Sequence, residues 1–516
     1  MQVQGRTLWE LIERRAGATP DRLMAEDELG RRMTFADYRS WCERVAAGLH
    51  AMEVGEGTNV SWELPTWLES MVLVGALARL GAVQNPIIPI LRYREVSFIA
   101  RQTRARLLIV PSEWRGFDYK AMADEIAGER DGLSVLVCDR ELPEGDPATL
   151  PPPPPTPDDP AALPVRWLFY TSGTTADPKG AQHTDRTVMA AASGMAEALQ
   201  LTAEDRGALV FPFTHIGGIA WLMAGLMTGC AQLVVEAFDS PTTIPLMRKF
   251  GVTLAGAGTA FHQTYLAAQR ATPGERLFPN VRAFPGGAAP KPPQLHYDLK
   301  AECGGVGIVS GYGLTECPIV TMNRVTDPDD KLANTEGPAT PGVTIRVVTL
   351  DGREAGPGED GEIRVVGPQL FRGYLDPSLD ADAFDERGFF RTGDIGNLDA
   401  DGFIRITGRL KDVIIRKGEN ISAKEIEDLL YLHPKVRDVA VIGLPDPETG
   451  ERACAVVSPK DPADPLTFAE MVEFLKGQRL STRKIPEQLE IVDDVPRNPT
   501  GKILKHKLRE QYARRA

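Results

Sequence analysis

Positive charge is in short supply. There are 58 Lys and Arg against 71 Asp and Glu, a formal net charge of −13. A chain this acidic is a poor general ligand for nucleic acid or for an anionic membrane surface. Cysteine is scarce and scattered: the six thiols, at 42, 138, 230, 303, 317 and 454, include no C-x-x-C pair. That excludes zinc ribbons and thioredoxin-like redox chemistry. It fits a reducing, cytoplasmic setting in which thiols are small buried hydrophobes. His50, His183, His262, His296, His433 and His506 show no metal-ligand spacing and read as structural. The opening MQVQGRTLWELIERR has no apolar h-region and does not read as a signal peptide. Long apolar runs are missing too. No charge lies between Arg206 and Glu236, but Pro212, His215, Gly217, Gly218, Gly225 and Gly229 interrupt the run. It reads as strand 208–212, a glycine turn, buried helix 219–228 and strand 231–235, so no integral membrane association is expected.

What remains is an ordinary globular composition, 42% hydrophobic and 25% charged over 516 residues, long enough for about three domains. Thr7 can cap a helix running to about Ala16, and Thr34 another over Phe35–Met52. The second carries an apolar face at Phe35, Tyr38, Trp41, Cys42, Val45 and Leu49. Short apolar runs at 106–110 and 134–138 alternate with helical stretches at 66–80 and 94–103. That alternation predicts layered α/β structure with largely parallel sheets. Five prolines at 151–155 read as an exposed, extended connection leading into a strand at 165–170. Between 340 and 407 the texture becomes β-rich, with strands expected at 343–349, 361–366 and 403–407. Beyond Gly408 about a hundred residues read as a separate α+β unit.

The strongest local signal is YTSGTTADPKG at 170–180, directly after a strand. Thr171, Ser172, Gly173, Thr174 and Thr175 offer hydroxyls and approachable backbone N–H groups, and Lys179 adds a cation, which is what cradling a polyphosphate requires. Lys179 precedes Gly180, so this is not a Walker A loop. Taken alone, a polar surface turn is the competing reading.

YTSGTT-x-x-PKG resembles the signature of the adenylate-forming superfamily, which comprises acyl-CoA synthetases, peptide-synthetase adenylation domains and luciferases. The resemblance extends over nearly the whole chain. It departs at Ala176, where the family usually has Gly. It implies a large N-terminal AMP-binding domain over 1–410, with a β-rich subdomain near 340–407. A mobile α+β domain over 411–516 follows, with its hinge at Lys411. In GGAAP (286–290), the backbone at Gly287 and Ala288 would flank adenine. In GYGLTE (311–316), Tyr312 beside Gly313 would stack on the base, Thr315 would bind the α-phosphate and Glu316 would hold Mg²⁺. Asp394 of RTGD and Arg409 would bind the ribose. Gly418 would line the path of the CoA pantetheine. Lys502 of PRNPTGK would bridge the substrate carboxylate and the α-phosphate, and His215 would border the acyl pocket.

The implied chemistry has two steps. A carboxylic acid and ATP form acyl-AMP and pyrophosphate, and the thiol of CoA then displaces AMP after the small domain turns about Lys411. Amino-acid-activating relatives place an Asp a few residues before the position of His215. Here 208–214 is ALVFPFT, so a plain carboxylic acid is expected, because a buried ammonium without a partner is costly. Segments 215–222, 255–261 and 307–310 are the expected pocket walls. The stretch 85–99 is similar to cyclohexanecarboxylate-type and medium-chain acyl-CoA ligases, which points to a fatty or alicyclic acid. Two alternatives stay open: loading of a carrier protein in place of CoA, and a non-catalytic acyl-nucleotide binder. The oligomeric state is open, a homodimer included.

Overall fold

The computed structural model describes residues 2–171, 178–287, 289, 291–416, 419–498 and 501–513. The expected helix starts are present. Thr7 accepts a hydrogen bond from the Glu10 N–H and opens Leu8–Ala18. Thr34 and Asp37 form a reciprocal capping box before Phe35–Ala51.

The N-terminal part is layered α/β. One six-stranded sheet runs, in order, Lys179–His183, Trp167–Thr171, Val83–Pro86, Asn59–Trp62, Leu107–Val110 and Ser134–Val137. Every pairing in it is parallel except the first. The prolines lead from Ser134–Val137 to Trp167–Thr171, two strands of this same sheet. A second sheet orders Arg206–Leu209, Ala231–Val234, Leu23–Asp27 and Arg32–Thr34. Parallel bridges at Gly207–Leu254 and Leu254–Ala283 extend it toward Phe284–Gly286 and Ile308–Tyr312. One apolar core joins inner residues of both sheets (Val60, Trp62, Phe169, Leu209, Val234) to the helices Phe35–Ala51, Leu68–Leu80 and Ile216–Thr228.

The uncharged segment departs from expectation. Its first strand is Arg206–Leu209 and its helix begins at Ile216, so Gly217 and Gly218 lie in the first helical turn. A Cβ on Gly218 would stand 2.4 Å from the Phe213 carbonyl oxygen, so that glycine permits close packing of helix and chain and makes no turn. The helix has 13 residues, and among the described residues no helix is long and apolar enough to cross a membrane.

The β-rich region is a four-stranded antiparallel sheet of Thr344–Val348, Gly361–Val366, Phe390–Leu398 and Ile404–Arg409. Phe390–Leu398 was not expected, because Gly393, Asp394, Gly396 and Asn397 read as turn residues. The ladder on both sides overrides their weak propensity. The C-terminal unit is α+β. A long hairpin, Val436–Asp446 with Gly450–Pro459, pairs with Gln488–Ile491 and carries the helices Ala423–Tyr431, Phe468–Gly477 and Lys505–Ala513. Its apolar clusters are its own.

Candidate active site

A cleft of 340 Å³ opens where the C-terminal unit meets the β-rich sheet and the end of strand Ile308–Tyr312. Tyr312, Asp394, Arg409 and Lys502 line it together. Pairing within the β-rich sheet sets Asp394 directly opposite Arg409. The Arg409 Nε stands 2.8 Å from Asp394 Oδ1, and the Tyr312 hydroxyl donates to Asp394 Oδ2 at 2.8 Å. Asp394 is 2% exposed. Burial and the neighbouring carboxylate hold the Tyr312 phenol well above its ordinary value, so it stays a neutral donor. The Tyr312 ring is thus pinned by the same carboxylate that the sequence assigns to ribose.

Glu316 lies one turn of chain away. The Tyr374 hydroxyl donates to its Oε1 at 2.7 Å, and the Phe371 N–H donates to its carbonyl. Burial raises the Glu316 carboxyl, against the pull of Tyr374 and Lys179. With Oε1 engaged, one carboxylate oxygen is left for a cation. That donor set fits Mg²⁺, which keeps most of its waters and takes one or two carboxylates beside substrate phosphates. Among the described residues no group of three His, Cys, Asp or Glu could hold a metal by itself. His183 Nε2 donates to the Thr315 carbonyl at 2.8 Å. Burial brings this ring down to about 4, so it is neutral.

Strand Lys179–His183 pairs antiparallel with Trp167–Thr171, with Lys179 opposite Thr171. The two flanks of the polar loop therefore stand side by side. Ser172, Gly173, Thr174 and Thr175 lie outside the described residues, as do Ala288 and Gly418. Gly287 follows strand Phe284–Gly286, and a Cβ on it would meet the Gly311 carbonyl at 3.1 Å. Gly313 is as tightly enclosed, its Cβ position 2.4 Å from the Ile319 nitrogen.

Lys502 reaches the cleft from a loop tied to its own unit. Its N–H donates to Asn498 Oδ1 at 2.9 Å. Arg497 Nη1 donates to the Gly501 carbonyl, while Arg497 Nη2 donates to both Asp438 oxygens. Burial, then the Arg409 guanidinium, brings the Lys502 ammonium down to about 8. Lys411 sits in the single turn Leu410–Asp412, where Asp412 pairs with Arg509 at 2.6 Å. Across the same boundary, Gln263 Nε2 donates to the Tyr431 hydroxyl at 3.2 Å.

His215 is the N-cap of helix Ile216–Thr228. Its Nδ1 accepts from the Gly217 N–H at 3.1 Å, and burial brings the ring down to about 4. This is the satisfied, neutral histidine that a structural role requires. The expected pocket walls are only partly met. Ala260 and Phe261 line a second cavity of 620 Å³ with Phe211, Pro212 and Phe238, and no residue of 215–222 lines either cavity. Gly258, the obvious position for a bulky probe of this wall, has φ +147° and faces the Gly287 carbonyl. A side chain there would strain the backbone before it tested pocket size. Glu236 also borders the second cavity, but Trp67 Nε1, Trp114 Nε1 and Arg140 all donate to its carboxylate.

Sequence reasoning missed Tyr374, the Arg497–Asp438 anchor and the tie of His183, expected as structural, to the Thr315 carbonyl. None carries a local signature, since each acts across at least 50 residues of chain or from inside a strand.

Residues 12–375 match the AMP-binding enzyme family and residues 425–502 its C-terminal domain. The chain is 34% identical to the long-chain-fatty-acid–CoA ligase FadD13 of Mycobacterium tuberculosis, over 98% of both chains. It is 31% identical to the salicyl-AMP ligase / salicyl-S-ArCP synthetase of the same organism, over 98% of this chain and 91% of that one. ATP-bound MatB from Rhodopseudomonas palustris superposes with a TM-score of 0.87 at 28% identity, covering 98% and 99% of the two chains. Apo MatB superposes at 0.76.

Proposed function

The chain belongs to the AMP-binding enzyme family, and from that premise we propose that it activates a plain carboxylic acid with ATP and passes the acyl group to CoA. The carrying observation is Lys502 of the C-terminal unit in one cleft with Tyr312, Asp394 and Arg409. The better superposition on the ATP-bound than on the apo relative supports the same arrangement.

In this reading Tyr312, its hydroxyl anchored on Asp394, stacks on adenine. Asp394 and Arg409 take the ribose hydroxyls. Thr171, Lys179 and the loop between them cradle the phosphates, and Thr315 binds the α-phosphate. Glu316, oriented by Tyr374, is the ligand for Mg²⁺, which when bound neutralises phosphate charge. The substrate carboxylate attacks the α-phosphorus and pyrophosphate leaves. The Lys502 ammonium lies where negative charge gathers in that step, and a preorganised cation there lowers the barrier. Turning about Lys411 withdraws Lys502, brings up the loop with Gly418 and admits the thiol, which attacks the acyl carbon and expels AMP. His215, expected beside the acyl site, is the neutral cap of its helix and lines neither cavity. Val210, Phe211, Phe238, Ala260 and Phe261 give the second cavity an apolar side that suits a fatty or alicyclic chain, while Arg92, Arg115 and Arg497 line it as well.

The salicyl-AMP ligase relative keeps a second reading open, in which a carrier-protein thiol replaces CoA. An AMP-release screen across fatty, alicyclic, aromatic and steroid-derived acids, run with CoA and with a phosphopantetheinylated carrier protein, separates the two. No acid-dependent AMP release with either acceptor would sink both and leave a non-catalytic binder.

Two further outcomes are expected. Glu316→Gln raises the Mg²⁺ concentration needed for half-maximal pyrophosphate release. Tyr374→Phe does so by ~10–100-fold, the usual cost of losing a group that orients a metal ligand. A Mg²⁺ titration of both variants checks this, and unchanged midpoints would remove Glu316 from the metal site. Lys502 must also carry its proton to act. Free-enzyme kcat/KM for adenylation is therefore level below about pH 8 and falls above it. A profile flat to pH 10 would contradict the role.

A further inference from the structure

The wall of the nucleotide cleft contains an ion pair that packing alone does not require. Lys291 is 4% exposed. Its ammonium donates to Ser310 Oγ at 2.6 Å, to the Thr335 carbonyl at 2.8 Å and to Glu336 Oε1 at 3.2 Å. Three acceptors match its three protons. Asn323, fully buried, braces the same group by donating to Ser310 Oγ and to the Thr335 carbonyl. Glu336 is fixed at its backbone as well: its N–H donates to the Ile404 carbonyl at 2.8 Å, and its carbonyl accepts from Thr321 Oγ1 at 2.6 Å.

The Glu336 side chain, 14% exposed, lines the same cleft as Ala289, Gly311 and Tyr312, and the Glu336 carbonyl accepts from Thr321, the strand partner of Tyr312. Well-packed apolar residues generally stabilise such a wall at least as well as a buried ion pair does. What the pair adds is a carboxylate held in one orientation in the cleft where the proposed function puts the purine. With Oε1 held by Lys291, Oε2 remains as an acceptor and cannot donate.

We infer that Glu336 is the residue that selects adenine, accepting a hydrogen bond from the 6-amino group, with Lys291 as its positioning residue. Adenine presents N–H donors at position 6. Hypoxanthine and guanine present a carbonyl oxygen there, which would set two acceptors face to face with no proton between them. Purine itself has only hydrogen at that position and forfeits the bond without the repulsion. A buried acceptor built for one donor discriminates mainly by the cost of leaving it unpaired.

This inference rests on the proposed function, which locates the base, and the test separates the two. Acid-dependent pyrophosphate release is measured with ATP, ITP, GTP and purine riboside triphosphate, and binding of AMP and IMP is measured by calorimetry. The intact enzyme is expected to favour ATP over ITP and GTP by ~10–100-fold in kcat/KM, the worth of a hydrogen bond to a charged group, with purine riboside triphosphate between them. AMP is expected to bind more tightly than IMP in the same proportion. In Glu336→Gln the KM for ATP rises and both gaps shrink to about threefold or less, because the amide can turn its N–H toward a 6-carbonyl. Glu336→Val, which matches the wall's apolar surroundings, loses the same discrimination if the glutamine variant folds poorly. An intact enzyme indifferent to the 6-substituent, or variants that keep the full preference for ATP, would overturn the inference and leave the proposed function standing. An intact enzyme that turns over none of the nucleotides and binds neither monophosphate would overturn the proposed function itself.

Discussion

Lys502→Ala is expected to lose acyl-AMP formation by at least ~10²–10³-fold, the usual loss when one charge contact made in a transition state is removed. Supplied with pre-made acyl-AMP and CoA, the same variant should form thioester at near the rate of the unaltered enzyme. The reason is geometric. The ammonium stands in the cleft with Asp394 and Arg409, carried there by a loop that Asn498 and Arg497 hold to the C-terminal unit. Removing one side chain leaves that scaffold in place. Gly418→Leu should show the reverse pattern, because the proposed function runs the pantetheine past Gly418 and gives that residue no part in adenylation. The measurement is pyrophosphate release without CoA, set beside thioester formation from acyl-AMP, for both variants. Equal loss of both activities in both variants would favour a single fixed site over a domain that presents two faces in turn.

The second large effect is expected at Asp394. The carboxylate accepts from the Tyr312 hydroxyl and pairs with Arg409, and the proposed function adds the ribose hydroxyls. Hydrogen bonds to a charged group are worth about 1.5–3 kcal/mol each, so Asp394→Ala should lower kcat/KM for ATP by ~10²-fold or more. Part of that loss is indirect, since a buried phenol without its acceptor no longer holds its ring in place. Comparison with 2′-deoxy-ATP isolates the direct part. The unaltered enzyme should prefer ATP, and the variant should treat the two nucleotides nearly alike. A variant that keeps the preference would show that the ribose is read elsewhere. Tyr312→Phe, which removes one partner of the carboxylate and keeps the ring, should fall between the two.

Much of the scaffold was legible along the chain because its causes are local. The caps at Thr7 and Thr34 are written within four residues. Strand 361–366 lies where it was expected, because apolar spacing and punctuation agree there. Strand Phe390–Leu398 was hidden because its residues favour turns, and only ladders with Gly361–Val366 and Ile404–Arg409 make it a strand. The glycines at 217 and 218 misled in the opposite direction, since they look like a turn and serve close packing inside a helix.

The order of the motifs and the absence of an acid in 208–214 are properties of the sequence by itself. They determined the family, and they carry the two-step chemistry and the plain-acid substrate proposed for it. Tertiary structure alone decided how those residues are held. Tyr374 reaches Glu316 across 58 positions, Tyr312 reaches Asp394 across 82, and Lys291 reaches Glu336 across 45. A hydrogen bond or ion pair depends on distance and direction in space. No spacing rule along the chain encodes the partner of a side chain whose neighbours are brought to it by other strands. The sequence therefore names the groups proposed to do chemistry, and the fold determines which of their oxygens is already engaged.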